Sequence, residues 1–290
     1  MPGARLPLPI LRRLVNPERH VSDAALRAVV EGRTVLVTGA SHGIGRATCE
    51  RLAGAGAELL MVARSADTLA ELAAALGPTA RALPCDLADL EQVRRLVADI
   101  GDAEVEFVVS NAGKSIRRSV ADSADRFDDV SRTTAVNYLA PVALLLALLP
   151  AMRARGRGHI VNVSTIGLLL PPAPRWSAYI SSKAAFDVWL RSAVAETADD
   201  GVTASSIYMT LVHTRMSAPT RDFDRVPGLT PAQAADIVCH AIVERPAVVA
   251  PWWGGAAGAL SHLARGPSDS LMRRYGRRVG ARSRPGGVPA

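Results

Sequence analysis

The octapeptide Thr38-Gly39-Ala40-Ser41-His42-Gly43-Ile44-Gly45 is the strongest indication of fold in this 290-residue chain. It follows an apolar run at 33–38 and opens a stretch of helical composition. At this spacing Gly39 permits a tight turn, Gly43 lets the backbone approach a pyrophosphate, and Gly45 lets the helix pack on the strand. The helix N-terminus adds amide donors and a favourable dipole for phosphate. The stretch therefore predicts a dinucleotide-binding turn, although ordinary loops also contain turn glycines.

Strand-like and helical stretches alternate along the chain outward from this turn. The predicted strands are 33–38, 59–63, 81–83, 105–109, 159–163, 202–209 and 247–250. The predicted helices lie near 44–54, 66–76, 89–99, 126–154, 178–198 and 231–244. Short strand–helix connections imply right-handed crossovers. The predicted fold is α/β and Rossmann-like, a doubly wound, mainly parallel seven-stranded sheet with helices on both faces.

Composition divides the chain into three regions. Residues 33–250 have no internal break and predict one nucleotide-binding domain, preceded by an N-terminal extension at 1–32. Residues 251–290 form a basic C-terminal extension with seven arginines and one aspartate, and we expect it to be partly disordered. The two ends together carry a net charge of +8 and the body −1, which gives the total of +7, so the near-neutral body argues against nucleic-acid binding.

Cysteine usage and hydropathy exclude several other classes of protein. Three scattered thiols, Cys49, Cys85 and Cys239, form neither a disulfide framework nor a metal-ligand pattern, so no metal is expected. No uninterrupted apolar run reaches about 18 residues, and the apolar run Leu139–Met152 contains two prolines and predicts a buried helix. The apolar run at 6–11 precedes its arginines, the reverse of a secretory signal. A cytoplasmic protein is expected.

The end of the second strand distinguishes the two common dinucleotides. An NAD site places an acidic residue there, bonded to the ribose 2′-hydroxyl, whereas an NADP site places a cation. Here Ala63 occupies that position and Arg64 follows, with a forked side chain suited to a 2′-phosphate. His42 adds a donor near the same phosphate. We therefore expect NADP(H) to be preferred over NAD(H); the alternative is that Arg64 is an ordinary surface arginine.

Tyr179 and Lys183 lie four residues apart and so share one face of a helix. A tyrosine that acts as acid or base near neutrality needs its pKa lowered from about 10, which a neighbouring ammonium achieves. The chain has 34 Lys and Arg residues, of which only Lys114 and Lys183 are lysines. This scarcity of lysine indicates that position 183 specifically needs an amine, whereas an isolated pair at this spacing could equally be a surface Tyr and Lys. Ser164 ends a strand 15 residues before Tyr179, at the edge where open α/β sheets bind ligands.

Together with Asn111-Ala112-Gly113 after the fourth strand and Asn137 on the next helix, these motifs resemble the short-chain dehydrogenase/reductase superfamily. The resemblance covers 33 to about 250 and implies an NADP-binding domain there with an Asn–Ser–Tyr–Lys tetrad. Two departures are Ser110 in place of the usual first Asn of Asn-Asn-Ala-Gly, and Thr210-Leu211 in place of Pro-Gly.

The resemblance implies a role for each matched position. Tyr179 exchanges a proton with the substrate oxygen, Ser164 hydrogen-bonds that oxygen, and Lys183 holds the ribose and lowers the pKa of Tyr179. Asn137 anchors a water for proton relay. These four, Asn137, Ser164, Tyr179 and Lys183, are the predicted catalytic residues.

The same resemblance supplies the contacts to the cofactor. Asp86 binds the adenine amino group with Leu87 beside the ring, and Thr214 reaches the nicotinamide carboxamide. Asn111 and Gly113 steady the central sheet and flank the adenosine ribose. The full predicted cofactor set is Gly39, Ser41, His42, Gly43, Ile44, Gly45, Arg64, Asp86, Leu87, Asn111, Ala112, Gly113, Tyr179, Lys183 and Thr214.

Within the superfamily, four stretches are similar to the bacterial fatty acyl-CoA reductase-like branch: 16–32, 111–120, 211–220 and 229–246. That similarity implies NADPH-dependent reduction of a small hydrophobic substrate, an acyl-CoA being the first candidate. Leu168 to Leu170 and Trp176 suit an apolar pocket, but equally suit a core cover or subunit interface. Arg117 and Arg118 suit a phosphorylated carrier or a solvated face. The alternatives are a ketone or alcohol oxidoreductase acting on a polyketide or steroid-like metabolite, and a catalytically idle nucleotide-binding regulator.

Two surfaces predict association. The long apolar helices at 126–154 and 178–198 resemble the subunit-packing helices of the family, so we expect a homodimer or homotetramer. The C-terminal extension carries tryptophans and leucines followed by paired arginines at 273–274 and 277–278. That combination predicts peripheral membrane contact as an alternative to a purely soluble cytoplasmic protein.

Overall fold

The computed structural model describes residues 15–17, 19–220, 223 and 226–281. Within them one sheet has the order β3-β2-β1-β4-β5-β6-β7, with every neighbouring pair parallel. Its strands are β1 Thr34–Thr38, β2 Glu58–Ala63, β3 Ala80–Pro84, β4 Val105–Ser110, β5 Gly158–Val163, β6 Val202–Ile207 and β7 Val248–Val249. The order reverses beside β1, so a crevice opens between the carboxyl ends of β1 and β4. The predicted Rossmann-like architecture is confirmed.

Helices cover both faces of the sheet, and all but the first one and the last two connect successive strands. They are α1 Asp23–Val30, α2 Gly43–Gly54, α3 Ala66–Leu76, α4 Leu90–Ile100, α5 Phe127–Thr134, α6 Ala140–Ala154, α7 Ser177–Thr197, α8 Pro231–Glu244, α9 Gly254–Leu263 and α10 Arg265–Ala281. Capping side chains define several starts: Asp89 accepts from the Glu91 amide at 2.9 Å, and Thr230 forms a capping box with Gln233.

Alternation along the strands builds two cores, one on each face of the sheet. Val35 and Val37 point into the core that α2 and α8 cover, whereas Leu36 points into the core under α4, α6 and α7. Because helices cover both faces, the central strands are buried on both sides and read as continuous apolar runs. These runs are what made the strands predictable.

The helices differ from the prediction in three places. The predicted helix 126–154 is α5 and α6 separated by a π-helical turn, Ala135–Leu139. α1 was not predicted, although Ser22 caps it and Leu26 and Val30 bury one face. The C-terminal extension contains α9 and α10, and the predicted disorder of the last residues falls on 282–290, outside the described residues.

One helical run, Phe127–Ala154, is long and apolar enough to cross a membrane by length and composition. Its inner residues, among them Leu144, Leu145 and Met152, are buried in the core beneath α6. The run is therefore packed in the fold as a core helix, as the two prolines within 139–152 predicted.

Candidate active site

The glycine turn has the backbone geometry that a pyrophosphate requires. Gly39 and Gly43 have φ values of 69° and 56°, in the left-handed region that favours glycine. A Cβ on Gly45 would lie 2.2 Å from the Gly39 carbonyl oxygen, so any side chain there would displace the backbone. α2 begins at Gly43, and the preceding His42 makes no side-chain cap to its first turn. The amides of that turn remain available, and the loop fits the phosphates of a dinucleotide.

Thr38 and Asn111 join the carboxyl ends of β1 and β4 at the crevice. The Thr38 hydroxyl accepts from the amides of Asn111 and Ala112, both at 3.0 Å, and donates to the Val109 carbonyl oxygen at 3.3 Å. The side-chain nitrogen of Asn111, Nδ2, donates to the Thr38 carbonyl oxygen at 2.9 Å. This network holds the Asn111–Gly113 loop against the glycine turn.

Three of the four predicted catalytic residues meet at the carboxyl end of β5. Tyr179 and Lys183 lie one turn apart on α7, and Lys183 Nζ donates to the Val163 carbonyl oxygen at 2.9 Å. Ser164, the next residue, has a buried Oγ with no hydrogen-bond partner among the described residues. A Cβ on Gly113 would lie 3.7 Å from Lys183 Nζ, so the loop after β4 borders the lysine. A buried hydroxyl without a partner is unusual and is available to a ligand oxygen.

Burial sets the protonation of the two titratable residues. Burial raises the pKa of Tyr179, and a hydrogen bond with the Thr165 hydroxyl acts in the opposite direction. Burial lowers the pKa of Lys183 to about 8, and the carboxylate of Asp187 opposes that change. Near pH 7 Tyr179 is therefore a neutral phenol and Lys183 is mainly protonated. Sequence reasoning missed Thr165, and its only signal was its place directly after Ser164.

The fourth predicted residue, Asn137, lies in the π-helical turn and connects two elements. Its Nδ2 donates to the Lys114 carbonyl oxygen and the Ser182 Oγ, both at 2.9 Å, and its Oδ1 accepts from the Lys114 amide at 2.8 Å. The side chain thus fixes the loop after β4 to α7. π turns frequently occur at functional sites, and here the turn aims Asn137 at both partners. A water at Asn137 stays a prediction.

The segment after β6 lies over the glycine turn. A Cβ on Gly43 would be 3.2 Å from the Thr214 methyl group, so Thr214 covers the start of α2. Arg215 Nη1 donates to His42 Nε2 at 2.6 Å, and His42 Nδ1 pairs with the Ser41 hydroxyl at 2.9 Å. Burial, followed by the charges of Arg215 and Arg46, lowers the pKa of His42 and keeps it neutral.

The residues predicted for the adenosine end follow β2 and β3 at the same edge of the sheet. Arg64 is exposed directly after β2. Asp86 is half-buried after β3, and its Oδ1 accepts from the Ala88 amide at 3.0 Å. Leu87 is buried in the core under α4, whereas Ile44 is half-buried against the opposite core. Their cofactor contacts stay predictions.

An aromatic wall borders Tyr179. The Trp176 ring meets the Tyr179 ring edge-on at 6.0 Å between centroids, and the Phe223 ring stacks on Trp176, also at 6.0 Å. Phe223 follows Thr214 and Arg215 in the chain, so this segment contacts both the glycine turn and the wall. Two aromatic rings therefore provide apolar surface beside Tyr179.

The C-terminal helices pack behind this wall. A Cβ on Gly254 would lie 3.1 Å from Leu169 Cδ1, and one on Gly276 would lie 3.2 Å from Pro174 Cγ. The glycines of α9 and α10 therefore permit close contact with the loop that joins Ser164 to Trp176. Leu169 is used in that packing, and Leu170 is partly exposed.

Comparison with known proteins agrees with this geometry. The family model for short chain dehydrogenases matches residues 33–225. The chain belongs to the short-chain dehydrogenase family. A fatty acyl-CoA reductase of Acinetobacter baylyi is 44% identical over 255 residues, which cover 86% of each chain. A fatty acyl-CoA reductase of Mycobacterium tuberculosis is 38% identical over 270 residues, 91% of this chain and 92% of that one.

A solved structure extends the likeness to three dimensions. The short-chain dehydrogenase of Sphingobium yanoikuyae in complex with NADPH has a TM-score of 0.69 at 25% identity, covering 89% of this chain and 98% of that chain. This short-chain dehydrogenase is accordingly an oxidoreductase whose family binds a nicotinamide cofactor. Its glycine turn, uncapped α2 and buried Ser164 hydroxyl are the features that fit such a cofactor and the substrate beside it.

Proposed function

We propose that this short-chain dehydrogenase uses NADPH to reduce the carbonyl group of an apolar substrate, with a fatty acyl-CoA as the first candidate. The observation that carries the proposal is the buried Ser164 hydroxyl, which has no partner among the described residues, at the end of β5 near a protonated Tyr179. A carbonyl oxygen would accept hydrogen bonds from both hydroxyls.

The residues then divide the chemistry between them. The bound nicotinamide supplies the hydride for the carbonyl carbon. Tyr179 donates its phenolic proton to the carbonyl oxygen, and Ser164 stabilises the charge that develops there. Lys183, which stays mainly protonated near neutrality, stabilises the resulting phenolate. Asn137 holds the loop and α7 at a fixed separation.

The acyl-CoA candidate rests on the relatives and on the aromatic wall. With a thioester, hydride and proton addition gives a thiohemiacetal, whose C–S bond then breaks to release the aldehyde and the coenzyme A thiol. Trp176 and Phe223 provide apolar surface for an acyl chain. With a ketone, the same addition ends at the alcohol. A ketone or alcohol oxidoreductase for another hydrophobic metabolite is therefore the alternative, and an idle nucleotide-binding regulator is the third.

The deciding experiment measures NADPH oxidation by purified protein with palmitoyl-CoA, a long-chain aldehyde and a panel of hydrophobic ketones. We expect turnover of the thioester that Tyr179→Phe abolishes. Turnover of ketones or aldehydes alone would replace the acyl-CoA candidate with the second one. If the wild type and Tyr179→Phe give the same background with every substrate, the regulator is favoured.

NADP(H) is proposed over NAD(H) for two reasons. Cationic side chains are expected near the adenosine end of the site, and the end of β2 lacks the acidic residue that an NAD site places there. Ala63 ends the strand and Arg64 follows it, exposed. Arg46 and Arg215 both act on His42 at the glycine turn. A 2′-phosphate entering this region would meet several cationic donors.

A homodimer or homotetramer is proposed from exposed apolar side chains on α6 and α7. Leu146 is 60% exposed and Val188 is 64% exposed, although both lie on otherwise core-forming helices. A contiguous patch formed by such side chains would suit association with a second copy of the chain. Light scattering coupled to size-exclusion chromatography should give at least twice the 30.5 kDa chain mass. A monomer would contradict the proposal.

A cytoplasmic location with peripheral membrane contact is proposed from α9 and α10. Leu260, Leu263 and Leu271 are 65%, 88% and 60% exposed. Exposed arginines of α10 lie in the same segment: Arg265, Arg273, Arg274, Arg277 and Arg278. Exposed leucines beside cations suit an anionic lipid surface.

Vesicle sedimentation tests this contact. The protein should sediment with vesicles containing phosphatidylserine more than with phosphatidylcholine alone, and Leu260→Ser/Leu263→Ser should reduce the bound fraction. Leu90→Ser serves as the matched control, since it removes an exposed leucine from α4, outside both proposed association surfaces. Equal binding to both vesicle types would contradict an electrostatic contribution.

A further inference from the structure

A buried carboxylate lies one helical turn beyond Lys183. Asp187 is only 5% exposed and is on the inner face of α7 with Phe186 and Leu190. Apolar residues normally occupy such positions, because a buried charge is unfavourable unless it is compensated. The glycine turn, the tetrad and the aromatic wall do not include this residue, so its presence in the core requires another explanation.

Three neutral donors hold the carboxylate in place. Asn162 Nδ2 and Ser206 Oγ donate to Asp187 Oδ1 at 3.1 and 2.7 Å, and the Tyr208 hydroxyl donates to Oδ2 at 2.9 Å. Asn162 is on β5, and Ser206 is its register partner on β6. Hydrogen bonds to both oxygens compensate the carboxylate for its burial. Because the donors are neutral, they solvate the negative charge without cancelling it.

Lys183 places a positive charge in the same buried region. Its ammonium is buried and donates to the Val163 carbonyl oxygen at 2.9 Å. Residues 183 and 187 are at positions i and i+4 and therefore neighbours on one face of α7. Burial favours loss of the lysine proton, and the negative charge of Asp187 opposes that loss.

We propose that Asp187 is a positioning residue that keeps Lys183 protonated, so that the lysine can support proton transfer by Tyr179. Asn162, Ser206 and Tyr208 hydrogen-bond the carboxylate, and the charge of Asp187 itself acts on the lysine. The inference rests on the proposed function only for the purpose of Lys183; the electrostatic pair itself is a property of the protein alone.

Several other ionisable and polar groups surround Lys183 and Asp187. On α7, Tyr179 lies one turn before Lys183 and the exposed Arg191 one turn after Asp187. Directly after β6, the Tyr208 hydroxyl faces the carboxylate, and burial, followed by the charge of Asp187, raises the pKa of that hydroxyl. The remaining polar neighbours from β5 and the π turn, Asn162, Ser164 and Asn137, are uncharged. Asp187 is thus the negative charge nearest to Lys183 in this group.

The composition of the chain makes a direct test possible. Lys114 and Lys183 are its two lysines, so the full chain labelled with [13Cε]lysine gives two NMR signals, which Lys114→Arg assigns. In the wild type, without cofactor or substrate, the Lys183 signal should titrate with a midpoint near 8. In Asp187→Asn we expect the midpoint to fall by about one pH unit, a loss of about tenfold in proton affinity.

Two further variants separate charge from structure. Tyr208→Phe removes a hydrogen bond to Asp187 but leaves the carboxylate, so the Lys183 midpoint should stay close to that of the wild type. Asn162→Asp/Asp187→Asn exchanges the two side chains and restores one carboxylate to the cluster, so the midpoint should return toward 8. The exchange also keeps the test available if Asp187→Asn alone does not fold.

Equal Lys183 midpoints in the wild type and Asp187→Asn would overturn the inference. An equal fall of the Lys183 midpoint in Tyr208→Phe would also overturn it. A change in packing that keeps the carboxylate would then be enough to explain the fall. The alkaline limb of the pH profile of kcat/KM should move to lower pH in Asp187→Asn by the same amount as the midpoint. A shifted midpoint in a protein without Tyr179-dependent turnover would refute the proposed function and leave the pair intact.

Discussion

At the amino edge of the sheet, the Glu106 carboxylate lies 3.4 Å from Arg33, 3.3 Å from Arg157 and 3.9 Å from Arg245. At the carboxyl edge, the buried Lys183 ammonium has one carbonyl oxygen at 2.9 Å and a carboxylate one helical turn away. Both edges contain buried charge. At the amino edge the charge is in direct contact with opposite charges, whereas at the carboxyl edge it is hydrogen-bonded to a neutral group and the opposite charge lies one helical turn away.

The polar side chains at the two ends of β5 repeat this difference. His159, near the amino end, pairs with Thr203 at 2.8 Å, the Ala241 carbonyl oxygen at 3.1 Å and Ser205 at 3.2 Å. Ser164, just past the carboxyl end, has no such partner among the described residues. Satisfied polar groups contribute to stability, whereas a hydroxyl without a partner is ready for a ligand. The amino end of β5 thus carries a polar side chain that stabilises the fold, and the residue after its carboxyl end carries one that is available for catalysis.

The largest expected effect is at the carboxyl edge. Tyr179→Phe removes the proton donor and should lower kcat by about 10³-fold, within the range for loss of a general acid. The free energy of unfolding should fall by only about 1 kcal/mol, because the ring and its contact with Trp176 remain and the hydrogen bond with Thr165 is lost. Steady-state kinetics and urea unfolding of the same preparation measure both quantities. Tyr275→Phe, on exposed α10, is the matched control, and an equal loss of activity there would contradict the assignment.

The next effect concerns His159 and the pH dependence of stability. Burial, followed by the charge of Arg245, lowers the pKa of His159 to about 4 in the folded state, whereas the unfolded chain binds the proton near 6.5. Stability is therefore fully present above pH 6.5 and decreases as pH falls toward 4, by roughly 3 kcal/mol from this residue. Urea unfolding between these pH values should show the decrease, and His159→Gln should reduce its slope. Parallel curves for the two proteins would contradict it.

A smaller effect is expected from the amino-edge charge network. Glu106→Gln leaves three arginines without their common carboxylate and should destabilise the fold by about 2 kcal/mol, a value that allows for the partial exposure of those arginines. Catalytic activity below the unfolding transition should remain, because the network lies at the far edge. If Glu106→Gln instead lowered kcat strongly without lowering stability, the amino edge would not be the purely stabilising edge that we infer.

The smallest expected effect is on cofactor choice. Arg64→Asp should raise the KM for NADPH by about tenfold through repulsion of the 2′-phosphate, and leave the KM for NADH nearly unchanged. Arg94→Asp, an exposed arginine of α4, is the matched charge-reversal control. An unchanged KM for NADPH would show that Arg64 is an ordinary surface residue.

Much of this fold was predictable because its signals are local. The strand runs, the glycine turn and the Tyr179–Lys183 spacing depend on residues close together in the chain, and the observed strands begin and end within about two residues of the prediction. The π turn was not predictable, because the sequence from 126 to 154 is helical in composition throughout. α1 is short, and tertiary contacts of Leu26 and Val30 with the core stabilise it.

Asp187 shows what local patterns omit. In the sequence it is an acidic residue on a long helix, and acidic side chains on helices usually face solvent. The register of β5 and β6 sets Asn162 opposite Ser206, and the packing of α7 on those strands brings Asp187 to both. Thr165 and Arg215 are similar cases, since their partners, Tyr179 and His42, are distant in the chain.

The sequence by itself determined the α/β fold class, the phosphate-binding turn and the residue types of the tetrad. Each of these depends on short-range spacing along the chain and on the backbone freedom of single residues. Tertiary structure decided which polar groups are buried, which have partners and which charges neighbour Lys183. Those properties depend on distances between segments that are far apart in the chain. Only the packed sheet and helices set these distances.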